Sequence, residues 1–136
     1  MSVERAPRGL LDTTVFIAAE SGRPLRAEAL PERTAISIVT RAELRAGVLA
    51  AEDIETRDRR LATLEAVARI AVLPIGDGVD RTWAQMRAYL AASGRSVNAN
   101  DVWIAATAAA NEIPVVTQDG DFDALSGVAG LTVIPV

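Results

Sequence analysis

Four segments of this chain deliver acidic side chains to places where they could do chemistry. Leu10-Leu11 runs straight into Asp12. Ala35-Ile36-Ser37-Ile38-Val39 ends at Thr40, with Glu43 one helical turn further on. A polar turn, Asn98-Ala-Asn100, opens a helix with Asp101 in its first turn, and Ile113-Pro-Val-Val stops at Thr117, Asp119 and Asp121. Polar residues at the ends of buried strands line the rim where open α/β sheets bind ligands. Carboxylates gathered there suit a hard divalent cation.

The residue types that are missing narrow the chemistry further. The chain has no cysteine and no histidine, and all fourteen of its basic residues are arginine. Thiolate zinc sites, cysteine nucleophiles and imidazole acid–base catalysis are therefore excluded. Without lysine there is neither a Schiff base nor a P-loop. Carboxylates and arginines are left, and oxygen-only sites favour Mg²⁺ or Mn²⁺. The net charge of −4 and a pI near 4.8 argue weakly against nonspecific binding of nucleic acid. Arg41 and Arg45, beside Glu43, and the cluster Arg57, Arg59 and Arg60 leave room for a local basic patch.

These residues need elements to hold them. The patterning predicts strands over 8–12, 35–39, 72–75, 114–117 and 131–134. It predicts helices over 14–19, 40–51, 55–69, 79–93 and 99–111, with a short helical turn near 25–30. Strands alternating with helices imply an α/β fold, a parallel sheet of about five strands with helices on both faces. Right-handed crossovers would then bring every strand C-terminus to one edge. With 136 residues, half of them hydrophobic, and no linker or repeat, residues 1–136 read as one domain. No apolar run approaches the roughly 18 residues of a membrane span. Asp12 interrupts the apolar stretch that follows Arg5 and Arg8, so the start reads as a strand and helix rather than a secretion signal, and the protein as cytoplasmic.

Each acid also has a local explanation. Asp12 can cap the helix after it, and Thr40-Arg-Ala-Glu43 fits a capping box. Asp101 suits a helix N-terminus, and Asp119-Gly120 suits a turn. Caps, however, have no need to converge. Convergent carboxylates repel by roughly 4 kcal/mol per close pair at an effective dielectric of 20, and with no histidine or lysine to neutralise them a divalent cation is the natural counter-charge.

Leu10-Leu-Asp-Thr-Thr-Val-Phe-Ile, Ile38-Val-Thr-Arg-Ala-Glu-Leu-Arg-Ala-Gly, Asn100-Asp-Val-Trp-Ile-Ala-Ala-Thr-Ala and Val116-Thr-Gln-Asp-Gly-Asp-Phe, in this order, resemble the motifs of the PIN-domain ribonucleases. The resemblance is strongest to the VapC toxins of type II toxin–antitoxin systems, and it covers nearly the whole chain. It implies a Mg²⁺-dependent endoribonuclease, with Mn²⁺ as an alternative, that hydrolyses RNA phosphodiesters by metal-activated water and leaves a 5′-phosphate and a 3′-hydroxyl. Asp12, Glu43, Asp101 and Asp119 match the family's metal-site acids, and Asp121 its frequent fifth. Thr14 and Thr117 match small polar positions that orient carboxylates by hydrogen bonds. Arg41 or Arg45 is the candidate for contact with a backbone phosphate.

The resemblance also implies a homodimer and a cognate antitoxin; the apolar faces of the helices over 40–51 and 55–69 are the candidate clamp, with membership of the core as the alternative. Trp83, Met86 and Trp103 read as core or dimer contact. Two other uses of an aspartate after a first strand fail on composition: a dehalogenase-type phosphatase wants an acid where Thr14 stands and a lysine, and a phosphoacceptor receiver also needs lysine. The remaining alternative is a catalytically silent PIN-like module that only pairs with a partner.

Overall fold

The computed structural model describes residues 5–136. Its centre is β1 (Arg8–Leu11), paired in parallel with β2 (Arg33–Ser37) on one side and β4 (Val115–Thr117) on the other. The edges are β3 (Ala71–Leu73) beside β2 and β5 (Val133–Pro135) beside β4, so the order is β3-β2-β1-β4-β5 and every pairing is parallel. The expected parallel sheet forms, with shifted ends. β3 covers 71–73 rather than 72–75, and β5 is Val133–Pro135 rather than 131–134.

The helices are α1 (Thr13–Glu20), α2 (Ile38–Ala50), α3 (Ile54–Val67), α4 (Val79–Ser93) and α5 (Ala99–Ala110). They divide between the two faces of the sheet because neighbouring strand residues point opposite ways. Leu10, Ala35 and Val115 face a core built with Met86 and Leu90 of α4 and the alanines of α5. Leu11, Ile36 and Val116 face a second core with Val15, Leu44 and Val67 of α1, α2 and α3. Ala105, Ala106 and Ala108 are fully buried, so α5 lies against the sheet with almost no side-chain bulk between. Gly9 serves the same closeness within β1: a Cβ there would stand 2.7 Å from Pro31 Cγ and 3.0 Å from Val116 Cγ2.

Met86 lies in the core, and half-buried Trp83 and Trp103 pack against it and stack at 4.7 Å, joining α4 to α5, in keeping with the core reading of all three. One expectation about the helices is corrected. The strand over 35–39 ends early. Ser37 is already the cap of α2, accepting from Val39 N at 3.0 Å, so Ile38 and Val39 are helical and Thr40 lies inside the helix. Thr40 and Glu43 therefore do not form the capping box that their spacing suggested. Their side chains are free for another use.

Candidate active site

The strand order makes β1 and β4 neighbours although more than 100 residues separate them in sequence. The chain leaves β1 towards β2 and β3, then returns to the other side of β1 to form β4. Such a reversal opens a crevice at the carboxyl ends of the two strands. Leu11 pairs with Val116, and Asp12 N donates to Val116 O at 2.9 Å, so Asp12 and Thr117 emerge side by side.

Asp12 is the most enclosed of the acids, only 2% exposed. Its Oδ1 accepts from Thr14 N and, at 2.7 Å, from Thr14 Oγ1, while its Oδ2 accepts from Thr117 Oγ1. A carboxylate has about four acceptor positions, so three are used and one is left for a ligand. Burial raises the Asp12 pKa above the usual carboxylate range, opposed by the bonds from Thr117 and Thr14 and assisted by the charge of Asp119. Thr117 Oγ1 also accepts from Asp119 N at 2.9 Å, and Thr14 Oγ1 from Gln118 N at 3.1 Å. Thr14 and Thr117 thus tie the end of β1 to the loop after β4.

Asp101 projects from the first turn of α5, after the Asn98 cap. Its pKa is pushed up to about 6, first by burial and then by the charges of Asp12, Glu43, Asp121 and Asp119. Four acids from three other segments thus act on Asp101. The largest charge effects on it all come from other acids. Asp119 caps the 3₁₀ segment Gly120–Leu125 by accepting from Asp121 N at 3.1 Å. Exposed Asp121 has its pKa raised by the charge of Asp119, by a shared hydrogen bond to it, and by slight burial.

Glu43 arrives differently, from a helix on the other side of β1. Its Oε1 lies 2.7 Å from Thr13 Oγ1, and Asn100 Nδ2 donates to its Oε2 at 3.4 Å. The sequence reading gave Thr13 no role, and it took Thr40 for a strand end or a cap and Asn100 for part of a polar turn. The signal available for them was the repeated threonine after Asp12 and the polar run before Asp101. Arg41 is half-buried and Arg45 exposed. Of the basic cluster, Arg59 and Arg60 line the same groove as Thr13 and Glu43, while Arg60 donates to Gly47 O at 2.7 Å and Arg57 to Ala51 O at 3.2 Å, tying α3 to α2.

The pattern of the PIN domain matches residues 9–128, nearly the whole chain. This chain belongs to the PIN-domain family. Within the family its relatives are the VapC ribonucleases. It is 55% identical over 128 residues to Ribonuclease VapC5 of Mycobacterium tuberculosis, spanning 94% of this chain and 95% of that one. It is 41% identical over 138 residues to Ribonuclease VapC4 of the same organism, spanning 98% and 100%. The crystal structure of VapBC-5 from M. tuberculosis, a member of the VapBC family of toxin–antitoxin systems, matches with a TM-score of 0.90 and 51% identity, over 96% of this chain and 99% of that one. FitAcB of Neisseria gonorrhoeae matches at 32% identity and a TM-score of 0.68, over 93% and 96%. The five-stranded parallel sheet described above is thus the PIN fold.

As a metal centre, this PIN site has the right donors in an unclosed arrangement. Every candidate ligand is a hard oxygen, and half-buried Asp101 lies under the charges of four other acids. Among the described residues, no three acidic side chains are already posed to hold one ion together, so the carboxylates share a neighbourhood rather than a coordination sphere.

Proposed function

We propose that this VapC ribonuclease is a Mg²⁺-dependent endoribonuclease, the toxin of a toxin–antitoxin pair, with Asp12, Glu43, Asp101 and Asp119 as metal ligands. The observation that supports this reading is the meeting of the acid-bearing segments at one edge of the sheet: Thr117 donates to Asp12, and Asn100, next to Asp101, donates to Glu43, contacts that no capping requirement explains. The donor set fits Mg²⁺, and Mn²⁺ as a substitute, because it offers only oxygen. When bound, such an ion supplies Lewis acidity at the phosphodiester and the positive charge that lets an anionic substrate approach the acids.

The rest is the work of the chain. Asp12, fixed by Thr14 and Thr117, presents its remaining acceptor position without needing to reorganise. Asp121 shares a hydrogen bond with Asp119 and is accessible to solvent, so it is suited to take up or pass on a proton at the mouth of the site. Arg41 or Arg45 on α2 remains our candidate for holding a neighbouring RNA phosphate. The test is a fluorogenic RNA incubated with the purified protein under chelator and then with Mg²⁺ restored. Cleavage should stop and return with the ion. Cleavage that persists in excess chelator would reject the metal reading.

For the antitoxin, the supporting feature is a groove of about 310 Å³ between α1, α2 and α3, lined by Ile17 and Leu44 and by the charged Glu20, Glu43, Arg59 and Arg60. The same helices also expose Leu49, Ile54 and Leu61, with Ile54 86% and Leu49 79% exposed. Large apolar side chains left in water on helices that form a groove suit an amphipathic partner segment. Leu49→Arg and Ile54→Asp should each weaken binding of the cognate antitoxin at least about tenfold, consistent with losing a buried apolar anchor, and leave RNA cleavage unchanged. Calorimetry with the antitoxin measures this, and unchanged affinity in both variants would remove these helices from the interface. The family resemblance also supports a homodimer acting in the cytoplasm. Among the described residues no helix is long and apolar enough to cross a membrane.

A further inference from the structure

Glu43 differs from the other acids of the site in reach and in origin. It comes from the interior of α2 rather than from a strand end, and its longer side chain has one more rotatable bond than an aspartate. Left alone, it would sample several rotamers beside the crevice. Instead each of its oxygens has a partner. Thr13 Oγ1 stands 2.7 Å from Oε1, across 30 residues of sequence, and Asn100 Nδ2 stands 3.4 Å from Oε2, across 57.

Thr13 Oγ1 also lies 3.1 Å from Thr40 Oγ1. A threonine hydroxyl has one proton to give and can accept at its oxygen. The carboxylate is the stronger acceptor, so the Thr13 proton goes to Glu43. Thr40, fully buried one turn before Glu43 on the same helix, can then give its own proton to Thr13. This arrangement exists only because α2 is capped by Ser37, which leaves Thr40 inside the helix with its hydroxyl uncommitted to the cap.

We infer that Thr13 is a positioning residue: with Thr40 behind it and Asn100 opposite, it holds the Glu43 carboxylate in place for the divalent ion. The inference rests on the metal site proposed above and assigns Thr13 a role distinct from that of Thr14, which serves Asp12. It places the whole effect of Thr13 in a carboxylate from another element.

The test is Mn²⁺ binding by calorimetry, read alongside RNA cleavage and a melting curve for each variant. Thr13→Val keeps the shape and loses the hydroxyl, and it should weaken Mn²⁺ binding by about 10–100-fold, the usual cost of removing a partner of a metal ligand. Thr13→Ser restores the hydroxyl and should bind within about threefold of the original protein, well below that loss. Thr13→Ala serves as the truncation if the valine variant does not fold. In a Glu43→Gln background the same truncation should have almost no further effect. Unchanged Mn²⁺ affinity in the truncated variants, or an equal loss with and without Glu43, would overturn the role of Thr13. If the original protein itself binds no Mn²⁺, the metal site falls and the role of Thr13 falls with it.

Discussion

Replacing Asp101 by Asn should abolish Mg²⁺-dependent cleavage and, at the same time, make the metal-free protein more stable near neutral pH. The second effect follows from the raised pKa, about 6 against an ordinary 3.8, caused by burial and by the charges of Asp12, Glu43, Asp121 and Asp119. An acid whose pKa is higher in the folded state holds its proton more tightly there than in the unfolded chain. Between about pH 4 and pH 6 folding therefore takes up a proton, and stability falls as pH rises through that window. Below it Asp101 is neutral in both states and carries no penalty; above it the penalty is complete.

For a fully enclosed group the shift would correspond to roughly 3 kcal/mol, at about 1.4 kcal/mol per pH unit. Solvent reaches half-buried Asp101 and screens its neighbours, which brings the expected gain for Asp101→Asn to about 1 kcal/mol. Melting curves in chelator from pH 4 to pH 8 measure it. The original protein should lose stability across the window more steeply than the Asn variant, and Mg²⁺ should restore the original protein but not the variant. Parallel curves for the two proteins would mean that the acids do not repel one another at Asp101.

Asp12→Asn tests the other wall of the site and should lower the cleavage rate by at least about 100-fold, the upper range for disturbing even the partner of a metal ligand. The substitution is nearly isosteric, so its cause is chemical. Asn keeps an oxygen that can accept from Thr14 N and Thr14 Oγ1, preserving the cap of α1. Its NH₂ group faces Thr117, whose hydroxyl must turn from donor to acceptor. What is lost is the negative charge and the last acceptor position, the two properties a metal ligand needs.

The fold should therefore survive, and a melting temperature close to that of the original protein is part of the expected result. Asp12→Ala makes the comparison sharper. It removes the cap as well and should cost about 1 kcal/mol of stability in addition to activity. A pure Asp12→Asn preparation that cuts RNA at the original rate would sink the assignment of Asp12.

Asp12, Asp101 and Asp119 were legible in the sequence because each follows a strand or opens a helix, and such boundaries leave local marks, whereas Glu43 comes from the interior of α2. Asp12 follows two leucines, and Asp101 follows an asparagine cap whose side chain accepts from Asn100 N at 2.8 Å. The boundary of α2 was not legible, since Ser37 and Thr40 are both competent caps within three residues. The pairing of Ser37 with Leu73 at the end of β2 accompanies the choice of Ser37, and that pairing is a contact 36 residues distant. Thr13 escaped notice for the same reason, because its partners Thr40 and Glu43 lie on α2 and nothing adjacent to it announces them.

Composition alone narrowed the chemistry available to this protein: without histidine, cysteine or lysine, only carboxylates, hydroxyls and arginines are left to do it. Alternation of apolar runs and helical spacing likewise determined the parallel α/β class, because those periodicities are set by backbone geometry. Tertiary structure alone decided which residues meet. Placing β4 against β1 set Thr117 on Asp12, and laying α2 beside α1 set Thr13 on Glu43. Those are contacts between segments far apart in the chain, chosen by how the two cores pack on either side of one sheet.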